Sequence, residues 1–435
     1  MCTKLYSGML KTEKEPTKVN MFRAFRDRNY TLFFAGQSIS QIGTWMQKTG
    51  MSWLVYAQTG SPFMLGLTIF ASQFPSFIFS LYGGVVSDRY NRFKILMITQ
   101  WASLIQAILM ALVAFQNPPS VTGILILCAV LGIINAFDVP ARQPLVHHLV
   151  KDKRDVPNAL ALNSAMVNLA RLIGPTLSGL ILHFYGAGIC FLLNAISFVA
   201  VLISLSLITQ PAFHPKPRKD NTLNEMKDSF RYLLINREVG TILLLLTLLS
   251  LLVWPYDTLI PIFATAIFHG DASTYGYLSG FMGLGALLGT IFLAAMNKTK
   301  LFKKILFFNT LLLSAGLLLF SFANKLPFAL LFIVLIGFGA MTQTTVCLTL
   351  IQTKVEEKMR GRMISFLAMA VFGMMPIGSL LIGMLSQYIG AQNCYLCLSF
   401  IAFAIAISFS RFFFSPESNL THLATPDFTN ETIHH

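Results

Sequence analysis

Apolar residues in this chain fall into about a dozen blocks of roughly 20, each long enough to cross a bilayer as a helix. Blocks of that length leave few folds open. In lipid no water satisfies the backbone, so each segment must pair its own N–H and C=O groups, which a helix does. Composition agrees. Of 435 residues, 55% are apolar and 11% charged, against about 25% charged in ordinary globular domains. A chain this long would make about three soluble domains, but it lacks the polar surface to cover them. The expected fold class is all-α, a polytopic membrane protein.

Twelve spans are predicted. The first six are Tyr30–Ala57, Phe63–Val86, Ile95–Phe115, Val121–Val139, Asn158–Phe184 and Gly188–Ile208. The second six are Val239–Phe268, Thr274–Met296, Leu301–Ala323, Phe328–Gln352, Met363–Tyr388 and Tyr395–Phe414. Between the sixes runs a polar connector with Pro211, Pro215 and Pro217, a natural boundary between halves. The expected division is a cytoplasmic segment 1–28, a six-helix bundle 29–208, a linker 209–237, a second bundle 238–414 and a cytoplasmic tail 415–435.

The net charge of +14 has a topological meaning here. Nearly all of the 32 Lys and Arg lie in the N-terminal tail, in the loops after even-numbered helices, or at Arg411. The opposite side holds Lys325 alone, while Lys48 and Arg171 lie within spans. Basic loops mark the cytoplasmic side, so both termini are expected there, in the inner membrane, with no nucleic-acid partner. The stretch Phe22–Arg26 is expected along the inner interface. No cleavable signal peptide is read at the N terminus, because the first apolar run is too long for one. The six cysteines show no framework spacing, and no disulfide, metal or other cofactor is expected.

The halves echo each other. Gly60, Gly66, Lys94, Ile95 and Leu96 share one offset with Gly270, Gly276, Lys304, Ile305 and Leu306. Gly174, Gly179 and Gly186 share another with Gly378, Gly383 and Gly390. Parallel repeats of this kind are a mark of secondary transporters, whose substrate site lies near the midplane between halves.

The strongest local signal is Gly84-x-x-x-Asp88-Arg89-x-Asn91-Arg92-x-Lys94, between helices 2 and 3. It resembles the G-x-x-x-D-R-x-G-R-[KR] loop signature of the major facilitator superfamily, with Asn91 for glycine and Phe93 for a basic residue. Asn91 is expected to be tolerated because Asn adopts positive φ. The resemblance implies an inner gate in which Asp88 approaches the Arg360–Met363 segment and Arg92 pairs with Asp138, near Arg142. The second-half counterpart has Lys298 where Asp88 sits, so the latch is expected to be asymmetric. In helix 5, Arg171, Gly174, Pro175 and Gly179 resemble the glycine–proline signature of the family's exporters. Glycines permit close helix approach and proline bends the helix.

The order of Asn29-Tyr30, Gly36-Gln37-Ser38, Trp53-Leu-Val-Tyr56 and Asp138-Val-Pro140-Ala-Arg142-Gln143 is similar to one branch, that of the enterobactin exporter and macrolide efflux proteins. The resemblance covers residues 22–414. It implies the major facilitator fold, two pseudo-symmetric six-helix bundles, and export in exchange for protons.

Polar residues inside spans are costly and usually functional. Along helix 1, Gln37, Gln41, Trp45 and Lys48 form one helical stripe. With Trp254, Tyr256 and Gln343 they are the expected substrate cavity. Asp257 lies at a depth similar to Lys48, and the two are expected to pair across the outer gate. Asp257 is also the candidate proton carrier; the alternative is that Lys48 snorkels and Asp257 is a loop-edge charge. Arg171 sits near mid-bilayer, either holding backbone carbonyls freed by Pro175, the favoured option, or receiving an anionic cargo.

The sequence holds no HExxH, GxSxG or Walker loop, so enzyme activity and ATP drive are not expected. The reading is a monomeric secondary transporter that exports a small amphiphile or siderophore, with protons and membrane lipids as its other partners. Import of a siderophore or lysophospholipid, and a non-transporting scaffold, are its rivals.

Overall fold

The computed structural model describes residues 22–209, 230–296 and 301–414. Every long element is helical, and no strand occurs among the described residues. In chain order the helices are α1 Arg28–Thr59, α2 Pro62–Arg89, α3 Arg92–Ala114 and α4 Val121–Leu149. Val156–Ser206 follows as one run broken at Gly186, whose limbs are α5 and α6. Then come α7 from Arg237–Leu252, α8 Ala272–Ala294, α9 Phe302–Ser321, α10 Leu326–Lys354, α11 Glu357–Ile389 and α12 Ala391–Ser408. Ten helical runs are long and apolar enough to cross a membrane. One of these is the broken run, and α1 is held below the others in hydropathy by its polar stripe, an arrangement consistent with twelve crossings. Residues 210–229 of the expected linker, and Lys298, lie outside the described residues.

The surface is that of a protein in lipid. On α3, Ile98, Trp101, Ile105, Ile108 and Leu112 are exposed at alternating three- and four-residue steps, while Leu104, Ala107, Met110 and Ala111 on the other side are buried. Phe184, Tyr185 and Tyr388 are exposed at the ends of α5 and α11, as interfacial aromatic residues are.

The repeat seen in the sequence has a structural cause. Gly186, at the reversal between α5 and α6, has φ +78°, and Gly390, between α11 and α12, has φ +81°. Both lie in the region that a Cβ penalises, so the matched positions are glycine in each half. Gly60 and Gly270 lie in the turns before α2 and α8, and the matched glycines inside the spans lie where helices meet. α5 packs on α8 and α2 packs on α11, joining the first half to the second. A Cβ built on Gly179 would stand 2.7 Å from the Gly276 Cα, and one on Gly383 would stand 3.2 Å from the Gly66 Cα. The two seams are thus main chain against main chain, with the same pair of repeat positions used in each. Gly280 and Gly283 extend the first seam to Thr176 and Arg171.

The two glycine–glycine seams occupy one end of the molecule. The end that carries Phe22, Phe414 and the Asp88–Arg92 loop is the basic end, the other the far end. Gly179 against Gly276 and Gly383 against Gly66 lie toward the far end, and Gly283 meets Arg171 at the middle of α5. Toward the basic end, Gly84 and Gly361 have no neighbour within 4 Å of a built Cβ. Between Phe70 and Arg89, α2 buries only Gly83 and Ser87, whereas Leu65, Gly66, Thr68 and Ile69 are all buried. On α5, Ala161, Ser164 and Ala165 form an exposed stripe.

Within each half the basic end is pinned by charge. The Arg23 guanidinium lies 2.8 Å from Asp155, and the Tyr30 hydroxyl donates to the Ala159 carbonyl at 2.9 Å. Arg23–Arg26 forms a short 3-10 turn there, with Ala24 buried and Phe22 before it exposed. In the second half Glu238 holds Lys303 at 2.9 Å and also pairs with Lys354.

A Gly276→Ala change inserts a methyl against Gly179 and the Pro175 carbonyl. Spin labels at the far ends of α5 and α8 should move apart, with the distance distribution read by double electron–electron resonance. An unchanged distribution would show that the seam does not depend on the missing side chain.

Candidate transport site at the centre of the bundle

Helix α1 supplies the site's first face. Steps of four, four and three residues from Gln37 through Gln41 and Trp45 to Lys48 place these side chains in one column. Gly174 of α5 lets this column come close, since a Cβ there would stand 3.0 Å from the Ile42 carbonyl and crowd the Trp45 Cβ. Trp45 carries two cations on its π system. The Lys48 Nζ lies 4.9 Å from the ring centroid and the Arg171 Cζ 5.0 Å. Such contacts contribute about 0.5–2 kcal/mol, more when water is excluded.

The second face comes from a break in α7. Its α-helix ends at Leu252, continues as a 3-10 segment Trp254–Leu259, and becomes a π-helix over Phe263–Ile267. The sequence predicted a continuous helix here. Pro255 and Pro261 remove two backbone donors, and the ladder loosens around them. The Tyr256 carbonyl accepts from the Tyr395 hydroxyl at 2.8 Å, restoring one bond. This break brings Asp257 toward α1, where its Oδ2 lies 3.5 Å from the Lys48 Nζ. The pair joins the two halves.

The expected cavity is only partly assembled. Gln41, Trp45 and Lys48 retain exposure. Trp254 and Tyr256 are buried in the second half, with Tyr256 edge-on to Tyr395 at 6.5 Å. Gln37 is buried and accepts from Arg142 at 3.2 Å. Gln343 is 0% exposed, so it does not line a cleft. Its Oε1 accepts from Asn309 at 3.1 Å and Thr310 at 3.5 Å. Helical spacing alone does not tell a core-facing amide from a cleft-facing one.

The gate loop also differs from its expectation. Asp88 pairs with Arg92 of its own loop at 2.9 Å, and the Arg92 Nε donates to the Ser87 carbonyl at 3.2 Å. Asp138 is held by Arg142 at 3.2 Å, one helical turn away, with Thr99 and Gln100 donating at 3.0 and 2.8 Å. The Arg92–Asp138 pair is therefore not formed, because nearer donors on α3 and α4 occupy the carboxylate. Arg89 is exposed. Asn91 has φ −63°, not a positive value, and works as the cap of α3, its Oδ1 accepting from the Phe93 N–H at 2.9 Å. An Asn just before an apolar helix was the available signal.

Thr99, Gln100, Asn309, Thr310, His183 and Asp271 were missed. α4 and α10 have equal length, so Asp138 occupies the place of Gln343, and Thr99 and Gln100 those of Asn309 and Thr310. The same junction carries a carboxylate in the first half and an amide in the second. Met341 of α10 lies against Arg171, its sulfur 3.6 Å from Nη1. At the far end His183 of α5 meets Asp271, the cap of α8, at 2.6 Å. The hydroxyl of Ser273, its N–H and that of Thr274, and the His183 charge hold the Asp271 carboxyl below its ordinary range. Among the described residues no group of three or more His, Cys, Asp or Glu could hold a metal ion.

Two measurements follow from these pairs. Asp257→Asn leaves Lys48 without its carboxylate, and Lys48→Met should then restore part of the lost stability. A double-mutant cycle on melting in detergent should give a coupling of about 0.5–3 kcal/mol; zero coupling would make the pair incidental. Asp271 titrates lower when folded, so its stabilisation is full above about pH 4 and fades as pH falls through the lowered value. Asp271→Asn should flatten the acid limb of the melting profile, and an unaltered limb would remove the cap from that role.

Comparison with known proteins fits this geometry. The chain is 26% identical over 379 residues to the staphyloferrin A transporter of Staphylococcus aureus, covering 87% of this chain and 94% of that one. It is 22% identical to macrolide efflux protein A of Streptococcus pyogenes over 87% of this chain and 94% of the relative. With the enterobactin exporter of Escherichia coli it shares 26% identity over 71% of this chain and 73% of the relative. The nucleoside transporter NupG superposes with a TM-score of 0.71 at 11% identity, covering 89% of this chain and all of that one. A family model described as transmembrane secretion effector matches residues 19–433, and the chain belongs to that family of major facilitator transporters.

Proposed function

We propose that the protein exports a small amphiphilic compound or siderophore across the cytoplasmic membrane by alternating access, in exchange for protons. The observation that carries this reading is the one-sided closure. Helices from the two halves touch main chain to main chain toward the far end, while α2 and α5 are exposed toward the basic end. Taking the basic loops as cytoplasmic, this is a conformation open to the cytoplasm and shut to the outside, the one that loads an exported cargo. Residues 29–208 and 238–414 are the two rocking bundles. The helix-5 residue Gly179 forms the bearing on Gly276, Gly174 seats α5 on α1 within the first bundle, and the Asp88–Arg92 loop with Asp138 and Arg142 belongs to the inner gate.

Asp257 is the coupling residue in this scheme. Its carboxylate joins the halves through Lys48, and a proton on it removes the charge that Lys48 holds. Closure and protonation thereby oppose each other. The relatives named for macrolide efflux and enterobactin export support the outward direction.

Energised everted vesicles test it, with a radiolabelled macrolide and enterobactin as probes. Vesicles carrying the protein should accumulate a probe, and a protonophore should abolish the gain. Asp257→Asn should cut accumulation roughly tenfold or more and remove its dependence on the pH gradient. Efflux of probe on energisation would indicate import. No movement, together with an unchanged medium profile of a deletion strain in iron-poor culture, would point to a scaffold.

A further inference from the structure

The charges at the centre do not balance. Lys48 and Arg171 both sit against Trp45, and Asp257 is the carboxylate beside them, already 3.5 Å from Lys48. Among the described residues Arg171 has no carboxylate within ion-pair distance and no backbone carbonyl as acceptor. Its one hydrogen-bond partner is the Met341 thioether, and its Nε is buried without any. A guanidinium carries five N–H donors, and a sulfur is a weak acceptor for one of them.

The structure also removes the sequence's favoured account of this residue. Pro175 lacks the N–H that would bond four residues back, so the carbonyl it frees is Arg171's own. That carbonyl is approached by α8 at Gly283, where a built Cβ would stand 2.7 Å from it. The side chain takes no part. Its guanidinium keeps partial exposure, with the Nε buried. Arg171 is 15 residues from the start of α5, about 22 Å at 1.5 Å per residue. A charged side chain at such depth is costly and usually functional, and a partly exposed guanidinium with unused donors is open to a partner that comes and goes.

We propose that Arg171 is the receptor for a carboxylate of the cargo, and that the transported compounds are organic acids with an aromatic or apolar body. A planar carboxylate matches the guanidinium fork, which Lys48 as a point charge does not. Trp45, which flanks both cations and keeps partial exposure, offers apolar surface beside them for the rest of the cargo. Charge arithmetic then makes sense: one carboxylate from the protein and one from the cargo neutralise the two cations. This inference rests on the transport reading of the same site and deepens it.

The test uses full-length protein in lipid nanodiscs, with fluorescein and fluorescein methyl ester as probes and fluorescence polarisation as readout. The wild type should bind the acid about tenfold tighter than the ester, the worth of one charge-assisted hydrogen bond. Arg171→Gln should erase that preference while leaving ester binding in place. Arg171→Lys, which keeps the charge and loses the fork, should retain only part of it, and serves if the Gln variant does not fold. Equal binding of acid and ester by the wild type, or a preference that survives Arg171→Gln, overturns the proposal. Failure of the wild type to move any probe in everted vesicles would instead strike the transport reading, since binding preference is measured without transport.

Discussion

Helices in lipid gain nothing from hiding apolar surface against each other, because the tails are as apolar as leucine. What holds two of them together is closeness. Here closeness is supplied by removing side chains, at Gly179 against Gly276 and at Gly383 against Gly66. These contacts join the halves and bring the polar column of α1 toward Arg171 of α5, Asp257 of the broken α7 and Met341 of α10. Without them Lys48 and Asp257, on different halves, would have no reason to lie 3.5 Å apart.

The central cluster depends next on a defect. Pro255 and Pro261 break α7, and the broken segment carries Asp257 toward α1 while the Tyr395 hydroxyl donates to the buried Tyr256 carbonyl. A regular helix would bury the same residues less selectively. The two halves then diverge in chemistry where they agree in architecture. The α3–α4 junction surrounds Asp138 with three donors, whereas the α9–α10 junction surrounds the amide of Gln343. Of the pair, only the carboxylate junction draws in an arginine, Arg142, and through it Gln37. The repeat is therefore asymmetric inside the membrane, at the α3–α4 and α9–α10 junctions.

Spans, charge asymmetry and the repeat were all legible in the sequence, since each follows from bilayer thickness or from glycine's missing Cβ. The glycines that matched across the halves are the ones at the seams and reversals. What was not legible is which side of a helix faces a cleft and which a neighbour. Trp254, Tyr256 and Gln343 have the depth and polarity expected of cleft residues yet lie buried, because a helix in a bundle has polar-tolerant positions on both sides. Partner choice was equally hidden. Asp138 and Arg142 stand one turn apart in the sequence, but the donors from Thr99 and Gln100 that complete the arrangement come from another helix. His183 and Asp271 lie at the ends of separate helices and carry no local pattern that links them.

A seam built from main chain has an unusual mechanical character. Glycine has no rotamers, so parting two such helices neither releases nor costs side-chain entropy. Nothing has to unlock and refit as the surfaces separate and return. The work of opening is concentrated in the few polar ties along the edge, Lys48 to Asp257, His183 to Asp271 and Gln387 to Ser61. Such a hinge is smooth where it touches and adjustable where it is fastened, which allows its stiffness to be retuned one tie at a time while the bearing surface stays as it is.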